Sequence, residues 1–159
     1  MDEAKAEEYA REYQAALVEP MQWFHLDSDF LDDPKIMRLG CEYGWPYIGL
    51  YVGLMSRLYT QERHIIDVST DYGWMVLQHR MSLIGNSIGI DSLKSIVDTF
   101  AELGLIDSDM YTESGKIASD RVFREAENYA EKAAKNRCAG KRLAAGRKKK
   151  SAGQDDGAL

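Results

Sequence analysis

Between residues 46 and 59 the chain is apolar on nearly every side: Tyr47, Ile48, Leu50, Tyr51, Val52, Leu54, Met55, Leu58 and Tyr59 leave little room for a solvent face. A helix that is hydrophobic around most of its circumference must be enclosed by other elements. The stretch therefore predicts a central, buried helix, around which the rest of the chain has to be arranged. Gly49 and Gly53 lower its helix propensity, and their four-residue spacing is expected to let a neighbouring backbone come close.

The flanking signals give that helix its companions. Residues 2–18 lack Gly and Pro and carry Ala6, Tyr9, Ala10, Tyr13 and Leu17 at spacings of three and four, which reads as an exposed helix ended by Pro20. Its tyrosine stripe either packs on its own chain or, in the sharper reading, serves self-association through Tyr9, Tyr13 and Leu17. Asp32 or Asp33 can cap the next helix, with Pro34 in its first turn, Ile36, Leu39 and Tyr43 on its apolar face and Gly44 as its stop. Ile65–Val68 is a short strand candidate, and Ser69, Thr70 and Asp71 offer caps to a helix containing Trp74, Val76, Leu77, Met81 and Leu83. Gly85-Asn86-Ser87 breaks that pattern. Asp91 then caps a helix with Leu93, Ile96, Val97, Phe100 and Leu103 on one stripe, and Gly104 follows at its end. Leu105–Thr112 and Ile117–Phe123 flank the polar turn Glu113–Lys116 and predict a β-hairpin. Three helices followed by a hairpin is the order of a winged-helix domain, a mainly α (α+β) fold, with residues 91–103 as recognition helix and 105–123 as wing; the periodicity alone also fits other small α+β folds.

Three segments result: an N-terminal helical extension at 1–20, the winged-helix domain at 21–124, and a basic helix with a flexible tail at 125–159. The net charge of -6 conceals a strong asymmetry between them. Residues 1–33 carry 2 basic and 10 acidic side chains, whereas residues 121–150 carry 11 basic and 3 acidic. An acidic head and a basic arm are expected to meet different partners. Helix composition continues to about Lys135, but Gly140, Gly146 and Gly153 interrupt the run of Lys and Arg, so the last twenty residues are expected to be disordered when free. No stretch approaches the roughly 18 apolar residues of a membrane span, and the opening Met1-Asp2-Glu3-Ala4 is no secretory signal, so a soluble, cytoplasmic chain is expected.

Catalytic patterns are missing. His25, His64 and His79 have no nucleophile motif beside them, and Gly85–Gly89 lacks the Gly-Lys-Ser/Thr that cradles phosphates. Cys41, expected in the core, and Cys138, expected in the polar tail, are the only cysteines and are not expected to pair. Asp27, Asp29, Asp32 and Asp33 lack the spacing and closing Glu of a calcium loop, so caps and turns explain them more simply. No enzyme activity, cofactor or metal is expected.

The basic arm carries the stronger signal. Lys132, Lys135, Arg137, Lys141, Arg142, Arg147, Lys148, Lys149 and Lys150 can neutralise phosphates and release counterions, with Arg121 and Arg124 preceding them and Lys94 and Lys116 on the recognition helix and wing. The recognition helix is poor in the side chains that read bases. Its expected surface is Ser92, Lys94, Ser95, Asp98, Thr99 and Glu102, with a single cation.

Trp23-Phe24-His25-Leu26-Asp27, then Asp33-Pro34-Lys35, then Tyr43-Gly44-Trp45, the apolar helix, the capped helix and Leu103-Gly104-Leu105-Ile106 follow one another in an order that resembles an N-terminal domain of phage and prophage replication proteins. The resemblance runs from about residue 22 to 124. In that domain a short aromatic strand precedes the Asp-Pro-Lys helix start. It is also similar to the N-terminal winged helix of DnaD-type primosomal proteins, and that likeness implies a role in replication initiation with self-association through the N-terminal part. The combined expectation is a homo-oligomeric, replication-associated protein that binds DNA, without strong sequence preference, through phosphate contacts of the arm. The alternatives are a module that organises other replication proteins without touching DNA, and a transcriptional regulator, which would need a cationic recognition surface.

Overall fold

The structure is a computed structural model that describes residues 3–82 and 88–152, with the backbone alone for 146–152. Leu83, the break at Gly85-Asn86-Ser87, Gly153 and the side chains of Arg147, Lys148, Lys149 and Lys150 lie outside the described residues. In order come α1 (Glu3–Leu17), α2 (Pro34–Tyr43), α3 (Trp45–Thr60), β1 (Ile66–Asp67), α4 (Asp71–Ser82), α5 (Ile90–Glu102), α6 (Ser108–Ser114), β2 (Lys116–Ile117) and α7 (Asp120–Ala152). Single 3-10 turns lie at Phe30–Asp32 and Glu62–His64. Among the described residues the fold is mainly α with one two-stranded sheet. It divides into two compact units, Pro20–Arg124 on one hand and Met1–Glu19 with Glu125–Leu159 on the other.

The unit Pro20–Arg124 is built around α3, whose Tyr51, Leu54, Met55, Leu58 and Tyr59 are all buried. Aromatic rings converge on it: Phe100 meets Tyr51 edge-on at 5.5 Å, Phe30 stacks on Tyr51 at 6.4 Å, and Phe24 meets Tyr59 edge-on at 5.2 Å. Burial pushes the Tyr51 phenol up to about 12, and its hydroxyl donates to the Leu105 carbonyl at 3.3 Å. Gly53 is buried as the apolar pattern requires, but a Cβ at Gly49 would enter open space, so that glycine serves no close backbone approach. Asp33 caps α2 by accepting from the backbone N–H groups of Lys35 (2.8 Å) and Ile36 (3.4 Å), with Pro34 just inside the helix. Residues 23–26 form no strand; Phe24 turns inward while Trp23 stays 71% exposed.

The predicted hairpin is the main correction. Residues 108–114 form α6, and β2 pairs antiparallel with β1, Ile66 opposite Ile117 and Asp67 opposite Lys116. Asp107 decides the outcome: its side chain caps the helix at the Met110 N–H (2.9 Å), and its carbonyl accepts from Tyr111. Gly115, read as the hairpin turn, is instead the left-handed stop of α6 at φ 62. A Cβ there would lie 2.7 Å from Ser69 Cα, so close packing and φ both demand glycine. The strand propensity of Tyr111 and Thr112 loses to these two caps. On the other side, residues 120–123, expected in the second hairpin strand, already belong to α7. Asp91 lies in the first turn of α5, whose N-cap is Gly89.

In the second unit, the α7 helix continues to Ala152, beyond the expected end near Lys135 and through Gly140 and Gly146. Glycine costs about 1 kcal/mol in a helix interior. The surrounding Ala, Lys and Arg are strong helix formers, and Ala126, Ala130, Ala134 and Cys138 make a buried stripe at four-residue spacing. The cysteine placement is thus the reverse of the expectation: Cys138 is buried and Cys41 exposed.

Candidate nucleic-acid interface

The outward surface of α5 is acidic. Asp91, Ser92, Ser95, Asp98 and Glu102 are exposed, while Thr99, expected on this surface, is buried and donates to the Ser95 carbonyl at 3.0 Å. Asp98 accepts from the Tyr111 hydroxyl at 2.7 Å. Burial, then this hydrogen bond, raises the Tyr111 pKa. Lys94 sits 5.6 Å above the Trp74 ring in a cation–π contact. A helix whose solvent face carries three carboxylates repels phosphate rather than attracting it.

Two other cations of this unit, Arg121 and Lys35, are tied into the fold. Arg121 donates to Asp27 at 2.8 Å and to the His25 carbonyl at 3.2 Å, and its guanidinium lies 5.9 Å from the Phe30 ring. It clasps the segment before α2. Lys116 lies opposite Asp67, whose carboxyl is held below its usual range by hydrogen bonds from the Ser69 hydroxyl and backbone N–H. Arg124 is exposed. Lys35 has a role that the sequence reading missed: its ammonium donates to the Gly104 carbonyl at 2.6 Å, closing the C-terminus of α5. The Asp-Pro-Lys and Leu-Gly motifs are therefore two halves of one fastening, joining the start of α2 to the end of α5.

In the unit of Met1–Glu19 and Glu125–Leu159, the acidic head and the basic arm are partners of each other. Arg137 makes a two-pronged contact with Glu19, Nη1 to Oε1 at 3.0 Å and Nη2 to Oε2 at 2.7 Å, and lies 3.9 Å from Glu12. Lys141 reaches Glu12 at 2.5 Å and Glu8 at 3.6 Å. The hydrogen bond from Lys141 holds the Glu12 carboxyl below its usual range, and the same bond raises Lys141. Arg137 is raised by its hydrogen bond with Glu19. The sequence held the signal: Glu8 and Glu12 are four residues apart on α1, and Arg137 and Lys141 four apart on α7, so each pair forms a row along one helix face. Tyr9 and Tyr13 stack at 6.4 Å and line an open groove with Glu127, Asn128 and Glu131, so the stripe lies along the chain's own C-terminal helix; Leu17 is half-buried.

The remaining arm cations fall on another face. Lys132 and Arg142 are each five residues from Arg137, which at about 100° per residue places them some 140° around the helix from it. Both are exposed and have no ion pair among the described residues. Lys135, exposed on the same side, pairs with Glu131 at 2.6 Å. Among the described residues no group of three or more His, Cys, Asp or Glu converges as a metal ion would require, and no helix is long and apolar enough to cross a membrane.

What these elements define is a mainly α domain with a minimal antiparallel sheet, extended at both ends by helix. Residues 23–122 match the family model described as Lin1244/Lin1753-like, N-terminal, and the chain belongs to this prophage-type family. Comparison with curated proteins and with solved structures gives no match.

Proposed function

We propose that this chain is a replication-associated protein of phage type that touches nucleic acid through phosphate contacts on the outward face of α7, and not through α5. The observation that carries the reading is the sorting of the arm's cations. Arg137 and Lys141 face carboxylates, whereas Lys132 and Arg142 stand exposed with Lys135 between them, leading toward Arg147, Lys148, Lys149 and Lys150 in the sequence. Such a stripe supplies charge and reach without base readout. Within the domain, the succession α3, β1, α4, α5, β2 supports a helix-turn-helix core of winged-helix type in which α6 stands where the first wing strand was expected. The likeness to DnaD-type primosomal domains and the role in replication belong to this reading.

Fluorescence anisotropy on labelled duplex and single-stranded oligonucleotides at two salt concentrations tests it. Lys132→Glu with Arg142→Glu should weaken binding by ten-fold or more and flatten its salt dependence, because about two phosphate contacts are lost. Lys94→Ala should leave affinity within two-fold. Unchanged binding by the double variant rejects the arm's outer face.

A second reading, favoured by the exposed Asp91, Asp98 and Glu102 on α5, is a protein-interaction module that organises replication factors without contacting DNA. Under it, wild-type protein shows no anisotropy change with either oligonucleotide, and Asp91→Lys with Glu102→Lys abolishes co-elution with the partner.

A further inference from the structure

Two cations of the arm are held by carboxylates in the geometry that a phosphate backbone would otherwise use. Arg137 presents both Nη atoms to Glu19, which is how a guanidinium also grips a phosphate, and Lys141 lies between Glu12 and Glu8 as an ammonium lies between neighbouring phosphates. The carboxylates come from a segment rich in them. Residues 1–19 carry six acidic and two basic side chains. The contacts are also reversible in kind: the Arg137 and Lys141 side chains keep 36% and 49% of their surface, and pairs this exposed are individually weak and screened by salt. Yet the head does not hold by charge alone, because Ala16 of α1 is fully buried and Tyr9 and Tyr13 lie along α7.

We infer that α1 with Glu19 is a built-in competitor of nucleic acid, an acidic strap that occupies Arg137 and Lys141 and is displaced when a polyphosphate chain takes its place. The inference rests on the arm being the nucleic-acid contact, as proposed above. It makes the bare arm a stronger binder than the intact chain, and it limits stable binding to ligands that offer a continuous run of phosphates. A single phosphate cannot replace three carboxylates. When phosphates replace the strap, the released carboxylates gather counterions that the phosphates shed, so Arg137 and Lys141 add little to the salt dependence of the intact protein. Once the strap is neutralised they add their full share.

The test compares two double variants of the full chain with equal change in charge. Glu12→Gln with Glu19→Gln removes the partners of Lys141 and Arg137, while Glu3→Gln with Glu7→Gln neutralises two exposed residues of α1 outside the ladder. With a labelled duplex of twenty base pairs, the first variant should bind about ten-fold more tightly than wild type at about 50 mM salt, with a slope of log K against log salt steeper by about 2. The second should stay within two-fold of wild type. Equal gains by both variants reduce the effect to net charge and overturn the strap, as does no gain by either. No binding by any form, to duplex or single strand, overturns the strap together with the reading beneath it. A measurement on wild type alone guards against misfolding of the variants: adding the duplex should raise amide hydrogen exchange in Glu3–Leu17, and unchanged exchange on saturation overturns displacement.

Discussion

Phe100 and Arg137 stand for two ways of holding a chain together. In the unit Pro20–Arg124, rings and aliphatic side chains close on α3, and even the cations Lys35, Lys94 and Arg121 serve the packing by fixing a helix end, a tryptophan face and a loop. In the unit of Met1–Glu19 and Glu125–Leu159, the buried stripe is alanine and one cysteine, which offer little area per residue, and the specific contacts are a half-buried charge ladder. The first is held by a force nearly indifferent to salt and moderate pH. The second is held by one that responds to both. The two units thus differ in the physics of their contacts, not only in composition.

The largest expected effect tests the first half of that contrast. Phe100→Ala removes a fully buried ring beside Tyr51 and should cost about 3–5 kcal/mol in denaturant unfolding of the 20–124 unit. A loss under 1 kcal/mol would mean that the rings are not the core. Gly115→Ala comes next, at about 1–3 kcal/mol, because φ 62 and the Ser69 backbone both resist a Cβ. Asp33→Ala should remove about 1 kcal/mol by stripping the cap of α2. Calorimetry or chemical denaturation reads both.

The second half is tested by solution conditions. Glu12 has a lowered folded pKa, so its contribution is present above the ordinary glutamate value of 4.5 and is lost as pH falls through the folded value. Lys141 has a raised one, so its contribution is present below 10.5 and is lost as pH rises through the folded value. Protection of the α1 amides from hydrogen exchange, taken relative to the intrinsic rate at each pH, should accordingly be greatest between those limits and should fall as salt rises from about 0.1 to 1 M, where the screening length drops from about 10 to 3 Å. Exchange in α3 should not follow either variable. The smallest effect belongs to Lys135→Gln, which breaks an exposed i,i+4 pair with Glu131 and should leave the unfolding midpoint within error.

Most of the helical frame was legible because it rests on local signals: the Asp33-Pro34 start of α2, the unbroken apolar run of α3, and Gly104 after α5. The helix at 108–114 is not legible in the sequence because Asp107 and Gly115 fit a short capped helix as well as a turn-flanked strand, and periodicity over seven residues cannot separate the two. The strand that completes the sheet is only two residues long and pairs with a segment some fifty residues earlier, which no local pattern reports. Of the candidate interface, the arm's charge was plain in the sequence but its sorting was not. Whether Arg137 meets a phosphate or Glu19 depends on a contact spanning more than a hundred residues, visible beforehand only as matching four-residue rows of opposite sign.

The uninterrupted winding of α7 past Lys135 makes the placement of its cations a matter of phase. Inserting one alanine between Ala134 and Arg137 would turn every downstream cation by about 100°, carrying Arg137 and Lys141 away from Glu19 and Glu12 and advancing Arg142 away from Lys132 without altering charge. A flexible tail would ignore such an insertion; a helix used as a two-sided ruler would not.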